Sequence, residues 1–523
     1  MTQQKSERRI VPQARRKSGP TASERKRGGK AAPVKQRTFQ LRMSFETADP
    51  PPARVRRGRG GAAKGVPFAA PRAAPKSKHS EGKMASAMME QVCRQLRVAF
   101  QHVAANRGAP GPDRQSIEQV RAHLEELLPV LEAALLTESY RPGDIRRVWI
   151  PKAGGDGRRG LGIPNVVDRV VSEAVRLVLE PLYEPTFHEA SHGFRPKRSC
   201  HTAVERARSF FEDGCEWVVD LDLERFFDRV HHQRLLSRLS QRVKDKPLLT
   251  LIGRMLKARV VLPDGVVVGT DEGVSQGSPL SPLLSNIVLD ELDTELGRRG
   301  LRFVRYADDC NIYVRSERAG KRVMESVTRF IEKRMRLVVN RAKSAVARPE
   351  DRHFLGFRLR RTPVDETVQV LLSDRSVERL DRRLRELTPR SWGDRLERCI
   401  HQINVFMTGW VGFFAICTPG TEWFLRHRDT HIRARLRALQ LKQWKRKRTR
   451  ARKLIELGVR PQTAWRCVYD GRKSIWALAY AKAVERAMPI AYFAKRGLFS
   501  LVELWLARSQ HITAPKQLLL PLG

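Results

Sequence analysis

Two apolar segments, far apart in the chain, each carry acidic side chains into what should be β-sheet, and no other feature constrains the fold as tightly. In Trp217-Val-Val-Asp220-Leu-Asp222-Leu-Glu-Arg-Phe-Phe227-Asp228 the alternation puts Trp217, Val219 and Leu221 on one strand face. Val218, Asp220 and Asp222 fall on the other. The second segment, Phe303-Val-Arg-Tyr306-Ala-Asp308-Asp309-Cys-Asn-Ile-Tyr-Val314, is two apolar runs about a tight turn bearing adjacent carboxylates, the form of a hairpin. Buried carboxylates repel one another and lose hydration, so the arrangement is costly unless cations neutralise it. Hard divalent cations such as Mg²⁺ take oxygen ligands, often one or two carboxylates plus substrate phosphates. Two such ions ~3.5–4 Å apart stabilise both attacking and leaving oxygens in phosphoryl transfer. A lone Asp-Asp could as well cap a turn or pair with arginine. Two such segments in one chain point to the chemistry.

The chain around them is basic. Its 523 residues hold 100 Lys+Arg against 56 Asp+Glu, a formal charge of +44. Self-repulsion of that size is tolerated most easily beside a polyanion, with nucleic acid the first candidate and an anionic membrane surface the second. Hydrophobic content of 41% excludes a wholly disordered protein. No apolar run approaches the ~20 residues of a membrane helix, so no membrane-spanning role is expected. Seven cysteines, scattered from Cys93 to Cys467 without a CxxC pair, argue against a disulfide framework or a Cys-based zinc site. They favour a reducing compartment. Residues 1–80 hold 21 Lys+Arg and 4 Asp+Glu, or +17, which leaves 44 − 17 = +27 on the rest. That stretch, with Arg56-Arg57-Gly58-Arg59-Gly60-Gly61, lacks apolar periodicity and is expected to be disordered when free, as a solvated tail or a nucleic-acid tether.

From about Met84 the pattern becomes globular. Helical spacing appears in Val92–Val103, Ile117–Leu136 and Val166–Leu182. Arg146–Pro151 and Leu161–Ile163 read as strands joined by a Gly-rich turn over Ala153–Gly160. Gly155-Asp-Gly-Arg-Arg-Gly160 spells the dinucleotide pattern GxGxxG, but its third Gly leads into Leu-Gly-Ile-Pro, so a hairpin turn is the better reading. His188-Glu-Ala-Ser-His192 spells the zinc motif HExxH, but Gly193 and Pro196 leave its helix no room. His427 and His431 lie one helical turn apart with no third ligand nearby in sequence.

At Tyr306-Ala-Asp-Asp309 the chain resembles the catalytic hairpin of reverse transcriptases, and its surroundings resemble the group II intron-encoded reverse transcriptase/maturase family. Further blocks follow in the family's order. Asn106-Arg-Gly-Ala-Pro-Gly-Pro-Asp113 is similar to its N-terminal extension motif, and Val148-Trp-Ile-Pro-Lys152 through Arg159-Gly-Leu-Gly-Ile-Pro164 to its fingers hairpin. Ser191-His-Gly-Phe-Arg-Pro196, the Gly273–Asn286 stretch, Asn340…Lys343 and Phe354-Leu-Gly-Phe357 fit later blocks. The resemblance implies an α+β right-hand polymerase: fingers and palm with an antiparallel sheet and catalytic hairpin, then a helical thumb/maturase domain, behind a disordered basic N-terminal tail. It implies that Asp222, Asp308 and Asp309 are catalytic and hold two Mg²⁺ ions. Asp222, six residues before Asp228, takes the family position, leaving Asp220 as a supporting or surface acid. Lys152 and Arg159 match the residues gripping the incoming triphosphate, and Phe227 the aromatic gate against a ribose 2′-OH. Gln276 and Gly277 match a close approach of backbone to template and nucleotide, and Lys343 a support beside primer and nucleotide. Three departures stand out: Gly160 where the family usually has Pro, His192 for a frequent Tyr, and Arg114 where Gly is common.

Beyond about residue 375 the chain turns helical. Ile403, Phe406, Trp410, Phe413 and Phe414 read as a thumb core. Residues 431–460 hold 12 Lys+Arg and one Glu and are expected to form a basic helix bearing an aromatic. This stretch resembles the maturase (thumb, or X) domain, which implies contacts with intron RNA by Lys442, Trp444, Lys445, Arg446, Lys447 and Arg448. The expected division is tail 1–83, fingers and palm 84–370, thumb 371–460, and a basic C-terminal extension 461–523 for DNA binding or as part of the maturase. No HNH-type endonuclease pattern appears, so no intrinsic DNA-cleaving domain is expected. The implied function is RNA-directed DNA polymerase and intron maturase, acting in splicing and retrotransposition. Its implied partners are group II intron RNA, RNA template and DNA primer, target DNA and dNTPs. The alternatives are a domesticated reverse transcriptase in defence or repair, and an RNA-binding splicing cofactor that does not need polymerase activity. Arg-, Ala- and Gly-rich composition suggests a GC-rich bacterium, hence a nucleoid-associated ribonucleoprotein in the cytoplasm rather than an organelle; no feature specifies an oligomeric state. Deleting residues 1–80 should weaken RNA binding and flatten the slope of log affinity against log salt, leaving polymerisation in place. An unchanged slope, measured by filter binding from low to high salt, would make the tail a bystander.

Overall fold

The computed structural model describes residues 87–513 except 152–156, 364, 390–392, 421 and 471–473. The tail at 1–83, Lys152 and the run after residue 513 therefore lie outside the described residues.

Three helices open the described chain: α1 (Met89–Ala105), α2 (Ile117–Ala122) and α3 (Leu124–Leu136). The apolar spacing Val92, Leu96, Ala99, Phe100, Val103 gives α1 one buried face, which packs on α4 (Val166–Tyr183). The single helical run expected over Ile117–Leu136 divides at His123, whose φ of −113° and ψ of 17° leave the helical range. Between α3 and α4 stand β1 (Ile145–Pro151) and β2 (Arg158–Ile163), paired antiparallel from Arg146–Ile163 to Pro151–Arg158. The hairpin thus replaces any dinucleotide turn, and β2 starts at Arg158, earlier than the expected Leu161. Arg114 takes φ 61°, a left-handed backbone that costs a non-glycine residue roughly 1–2 kcal/mol. Glycine, which the family commonly has there, would avoid that cost.

Next come α5 (Cys200–Glu212), β3 (Trp217–Leu221), α6 (His232–Ser240), α7 (Lys246–Leu256), β4 (Val260–Val261), β5 (Val267–Val268) and α8 (Ser281–Arg298). The hairpin strands β6 (Arg302–Tyr306) and β7 (Asp309–Val314) follow, with α9 (Glu317–Phe330) and β8 (Ala345–Ala347). The palm sheet has the order β6-β7-β3-β8, and the fingers sheet β2-β1-β4-β5. A separate hairpin pairs β9 (Phe357–Arg361) with β10 (Val368–Leu372).

The palm sheet divides two cores, and strand alternation sorts its side chains between them. Val219, Leu221, Phe303, Ile312 and Val314 enter the first, with residues of α1, α4 and α6–α9. Val218, Val304 and Tyr313 enter the second, with α5, β9 and β10. That second core continues into α10 (Asp374–Leu387), α11 (Leu396–Phe414), α12 (Glu422–Gln443) and α13 (Lys447–Glu456). It also takes in α14 (Pro461–Tyr469), α15 (Ile475–Ala479), α16 (Lys482–Ala487), α17 (Ile490–Ala494) and the start of α18 (Leu501–Thr513). Helices beyond residue 460 therefore share the thumb's core. Trp505 of α18 is fully buried, its ring 5.8 Å from that of Trp410 on α11. Among the described residues no helix is long and apolar enough to cross a membrane. Trp505→Ala should destabilise the thumb by about 3–5 kcal/mol, seen as a lower thermal midpoint. An unchanged midpoint would mean that α18 does not stay docked.

Candidate active site

The palm register builds the site. β3 pairs with β7 so that Asp220 faces Asn311 and Leu221 faces Cys310. One further step brings Asp222 to Asp309. β6 and β7 close with Tyr306 opposite Asp309, leaving Ala307 and Asp308 as the whole turn. Ala307 accordingly takes φ 58°. Strand alternation sends Asp220, Asp222 and Asp309 to the same side of the sheet, while Asp308 tops the turn.

Other segments fix these acids. The Asp222 amide donates to Ser344 Oγ at 3.0 Å, and its carbonyl accepts from the Asn340 amide at 2.8 Å. Lys343 Nζ lies 3.7 Å from Asp222 Oδ2. Asp220 forms an ion pair with Arg352, whose Nε donates at 2.8 Å. Asp220 is therefore neither a free acid nor a surface one, and Arg352 is a site residue that sequence reasoning missed. Burial pushes the Asp309 carboxyl well above the usual range, and Asp220, Asp308 and Asp222 push it the same way. Burial also raises Asp308, with Arg159 pulling it back and Asp222 adding to the rise. Burial raises Asp220, with Arg352 opposing. Carboxylates so placed either take up protons or receive cations.

Whether the group suits a metal ion is a question of donor chemistry. Asp222, Asp308 and Asp309 offer only oxygen, as a hard divalent cation requires. Among the described residues no three acidic, histidine or cysteine side chains close into a coordination cage. A site of this kind, with one or two carboxylates per ion, is completed by substrate phosphates. The donor set fits that case.

The expected nucleotide contacts gather around the acids. Arg159 lies on β2 opposite Ile150, exposed and close enough to act on Asp308. Phe227 sits half-buried in a short turn, its ring edge-on to Phe226 at 5.3 Å. The carbonyl of Phe227 accepts from the Val274 amide at 2.6 Å, which ties that turn to the 273–277 loop. Gln276 presents its carbonyl to the Gly162 amide at 2.8 Å. Gly277 has φ 136°, and a Cβ there would stand 2.1 Å from the Gly162 carbonyl oxygen. The close approach made by Gly277 is thus to the fingers strand β2, pinning fingers to palm.

The expected basic helix is two helices. α12 ends at Gln443 and α13 begins at Lys447. Arg450 accounts for the break: its Nε donates to the Leu441 carbonyl at 2.8 Å and the Trp444 carbonyl at 3.1 Å, capping α12. Lys442, Lys445, Arg446, Lys447 and Arg448 are exposed around this junction, whereas Trp444 is half-buried against the second core. The HExxH letters carry no helix: Glu189 and Ala190 form a turn. The His188 Nδ1 accepts from the Ala190 amide at 3.1 Å, and His192 Nδ1 meets Thr202 Oγ1 at 2.8 Å.

A palm sheet presenting paired acids on a hairpin, a fingers hairpin and a helical thumb define a reverse transcriptase. Residues 150–359 match the family model described as "Reverse transcriptase (RNA-dependent DNA polymerase)", and 377–455 match "Group II intron, maturase-specific domain". Protein YkfC of Escherichia coli (strain K12) is 33% identical over 289 residues, covering 48% of this chain and 75% of that protein. Group II intron-encoded protein LtrA of Lactococcus lactis subsp. cremoris is 37% identical over 208 residues, covering 40% of this chain and 34% of LtrA. A putative COX1/OXI3 intron 2 protein of Saccharomyces cerevisiae is 28% identical over 330 residues, covering 52% and 38%. The matched region thus spans three quarters of YkfC but little over a third of the other two. The chain belongs to the group II intron reverse transcriptase/maturase family. Its enzyme class is RNA-directed DNA polymerase, a class that generally uses divalent metal ions.

His192, beside the hairpin, yields a pH prediction. Burial and then Arg198, Arg195, Arg206 and Arg305 depress its pKa to about 4, and its buried Nε2 has no hydrogen-bond partner among the described residues. Against ~6.5 in the unfolded chain, the folded state binds fewer protons. The associated stability is present above pH ~6.5 and is lost as pH falls towards 4, by roughly 3 kcal/mol in all. His192→Gln should flatten that limb of the stability–pH profile; an identical limb in both proteins would refute it.

Proposed function

We propose that this protein extends a DNA primer on an RNA template and binds its group II intron RNA as a maturase, in support of splicing and retrotransposition. The observation that carries the polymerase half is the meeting of Asp222, Asp308 and Asp309 at one end of the palm sheet, rimmed by Arg159 and Lys343. Two Mg²⁺ ions held by those three acids supply, when bound, positive charge to the attacking and leaving oxygens of phosphoryl transfer. Arg159, with Lys152 outside the described residues, grips the triphosphate of the incoming dNTP, a task suited to cationic donors. Phe227 lies under the sugar and excludes a 2′-OH by bulk, so deoxynucleotides are preferred. Lys343 orders the Asp222 carboxylate and offsets its charge between turnovers.

The maturase half rests on the match over 377–455 and on exposed cations at the α12–α13 junction. Target DNA then follows as the acceptor in retrotransposition. The location that goes with this reading is the bacterial cytoplasm, as a nucleoid-associated ribonucleoprotein; seven cysteines, with no disulfide among the described residues, suit its reducing conditions.

Asp308→Ala should lower primer extension on an RNA template about 10³-fold or more while leaving intron-RNA affinity intact. Robust extension by that variant would sink the metal-ligand assignment. In the same assay Phe227→Ala should weaken discrimination against ribonucleotides by roughly 10–10²-fold. Unchanged selectivity would move the gate elsewhere.

A further inference from the structure

Arg305 lies on β6, three residues before Asp308, fully buried in the middle of the palm. A buried guanidinium is tolerated only when its donors are satisfied, and here all five N–H groups have acceptors. Nε and Nη2 grip the two carboxylate oxygens of Asp293, itself fully buried, with Nε at 2.7 Å. Nη2 also donates to Ser191 Oγ at 2.7 Å, and Nη1 to Asn286 Oδ1 at 3.0 Å. The fifth donor closes on the hairpin itself: Nη1 reaches the carbonyl of Ala307 at 2.8 Å. That carbonyl belongs to the left-handed residue immediately before Asp308.

The partners of Arg305 are themselves tied to the same turn. Asn286 and Asp293, seven residues apart, share one face of α8, so one rigid helix carries both acceptors. Asn286 Nδ2 donates to the Gly193 carbonyl at 2.9 Å. The backbone of the 190–192 segment runs beside β6, with the His192 amide donating to Arg305 O at 2.8 Å and the Arg305 amide to Ala190 O at 2.9 Å. Gly193 presses on the turn: a Cβ there would stand 2.3 Å from the Ala307 amide nitrogen.

We propose that Arg305 is a positioning residue for the polymerase reaction: with Asp293, Asn286, Ser191 and the bare backbone of Gly193, it clamps the Ala307 turn and so sets where Asp308 and Asp309 stand. The inference rests on the reading of those two acids as catalytic. It assigns the Ser191-His192-Gly193 segment and Asn286 a shared task, that of holding the metal-binding hairpin in a strained conformation which its own Ala307 does not favour.

Arg305→Ala would leave Asp293 as an unpaired buried charge and threatens folding, so the test uses smaller changes. Ser191→Ala removes one acceptor; Gly193→Ala introduces one methyl against the turn. Both full-length variants are compared with wild type by steady-state single-nucleotide extension, primer–template affinity, and hydrogen exchange of a peptide spanning 303–314. Expected are a kcat lower by about 10²-fold for Gly193→Ala and by a smaller factor for Ser191→Ala. The KM for dNTP and the primer–template Kd should stay within about twofold, with faster exchange at the turn and unchanged exchange in α1 and α4. Wild-type kcat in both variants, or kcat lost in step with primer–template affinity, overturns the proposal. So does unaltered exchange at the turn. If the wild-type protein proves not to polymerise, the catalytic reading falls, and the exchange measurement still judges the clamp on its own.

Discussion

Burial drives up the proton affinity of Asp309, and three other carboxylates act on it in the same direction, with Arg352 the opposing charge. A sheet end built that way resists its own assembly, because each acid raises the cost of ionising its neighbours. The rest of the palm is arranged to hold the acids there regardless. Arg352 neutralises the inner acid Asp220, Ser344 and Asn340 hold the backbone of Asp222, and Arg305 grips the turn from the opposite side of the sheet. Counter-charge is applied behind and beside the site, so the charge that faces outward stays available to cations and phosphates.

That arrangement depends on the sheet being buried on both faces. Because β3, β6 and β7 send alternate residues into different cores, the hairpin cannot slip by one residue without exchanging the two sets. A one-residue shift would send Arg305 into the thumb-side core and carry Ile312 away from its helices. The register that places Asp222 beside Asp309 is thus protected by packing at some distance from either acid. The thumb belongs to the same economy of packing: its helices, through to Trp505, share a core with Val218, Val304 and Tyr313. Movement of the thumb bears directly on the face of the catalytic sheet that carries Asp220, Asp222 and Asp309.

Much of this was legible in the sequence because it follows from local period and spacing. Alternation in Trp217–Leu221 sorts its side chains as the two cores do, and the paired apolar runs about Ala307-Asp308 form the hairpin. The parts that were not legible depend on partners far away in the chain. Nothing in the spacing of Asp220 singles out Arg352 from among 100 basic residues, nor Asp293 as the partner of Arg305. The break between α12 and α13 was hidden for a related reason. Its cap is the side chain of Arg450, and in a run of cations one arginine turned inward looks like all the others. The start of strand β2 is hidden in the sequence because its first residues, Arg158 and Arg159, are exposed on the hairpin and lack apolar alternation.

The same long-range pairings give the net charge of +44 a structure that composition cannot express. Arginine here does two separate jobs. At Arg305 and Arg352 the planar fork is spent inside the protein on carboxylates and carbonyls, where its five fixed donors satisfy several acceptors at once. At the α12–α13 junction and on the fingers hairpin the cations remain exposed, where the proposed function would have them meet phosphates. Lysine could serve the second job but not the first, because a single ammonium cannot span Asp293, Asn286, Ser191 and Ala307 together. A basic nucleic-acid enzyme of this design therefore needs two distinct populations of arginine, and only the outward one answers to salt.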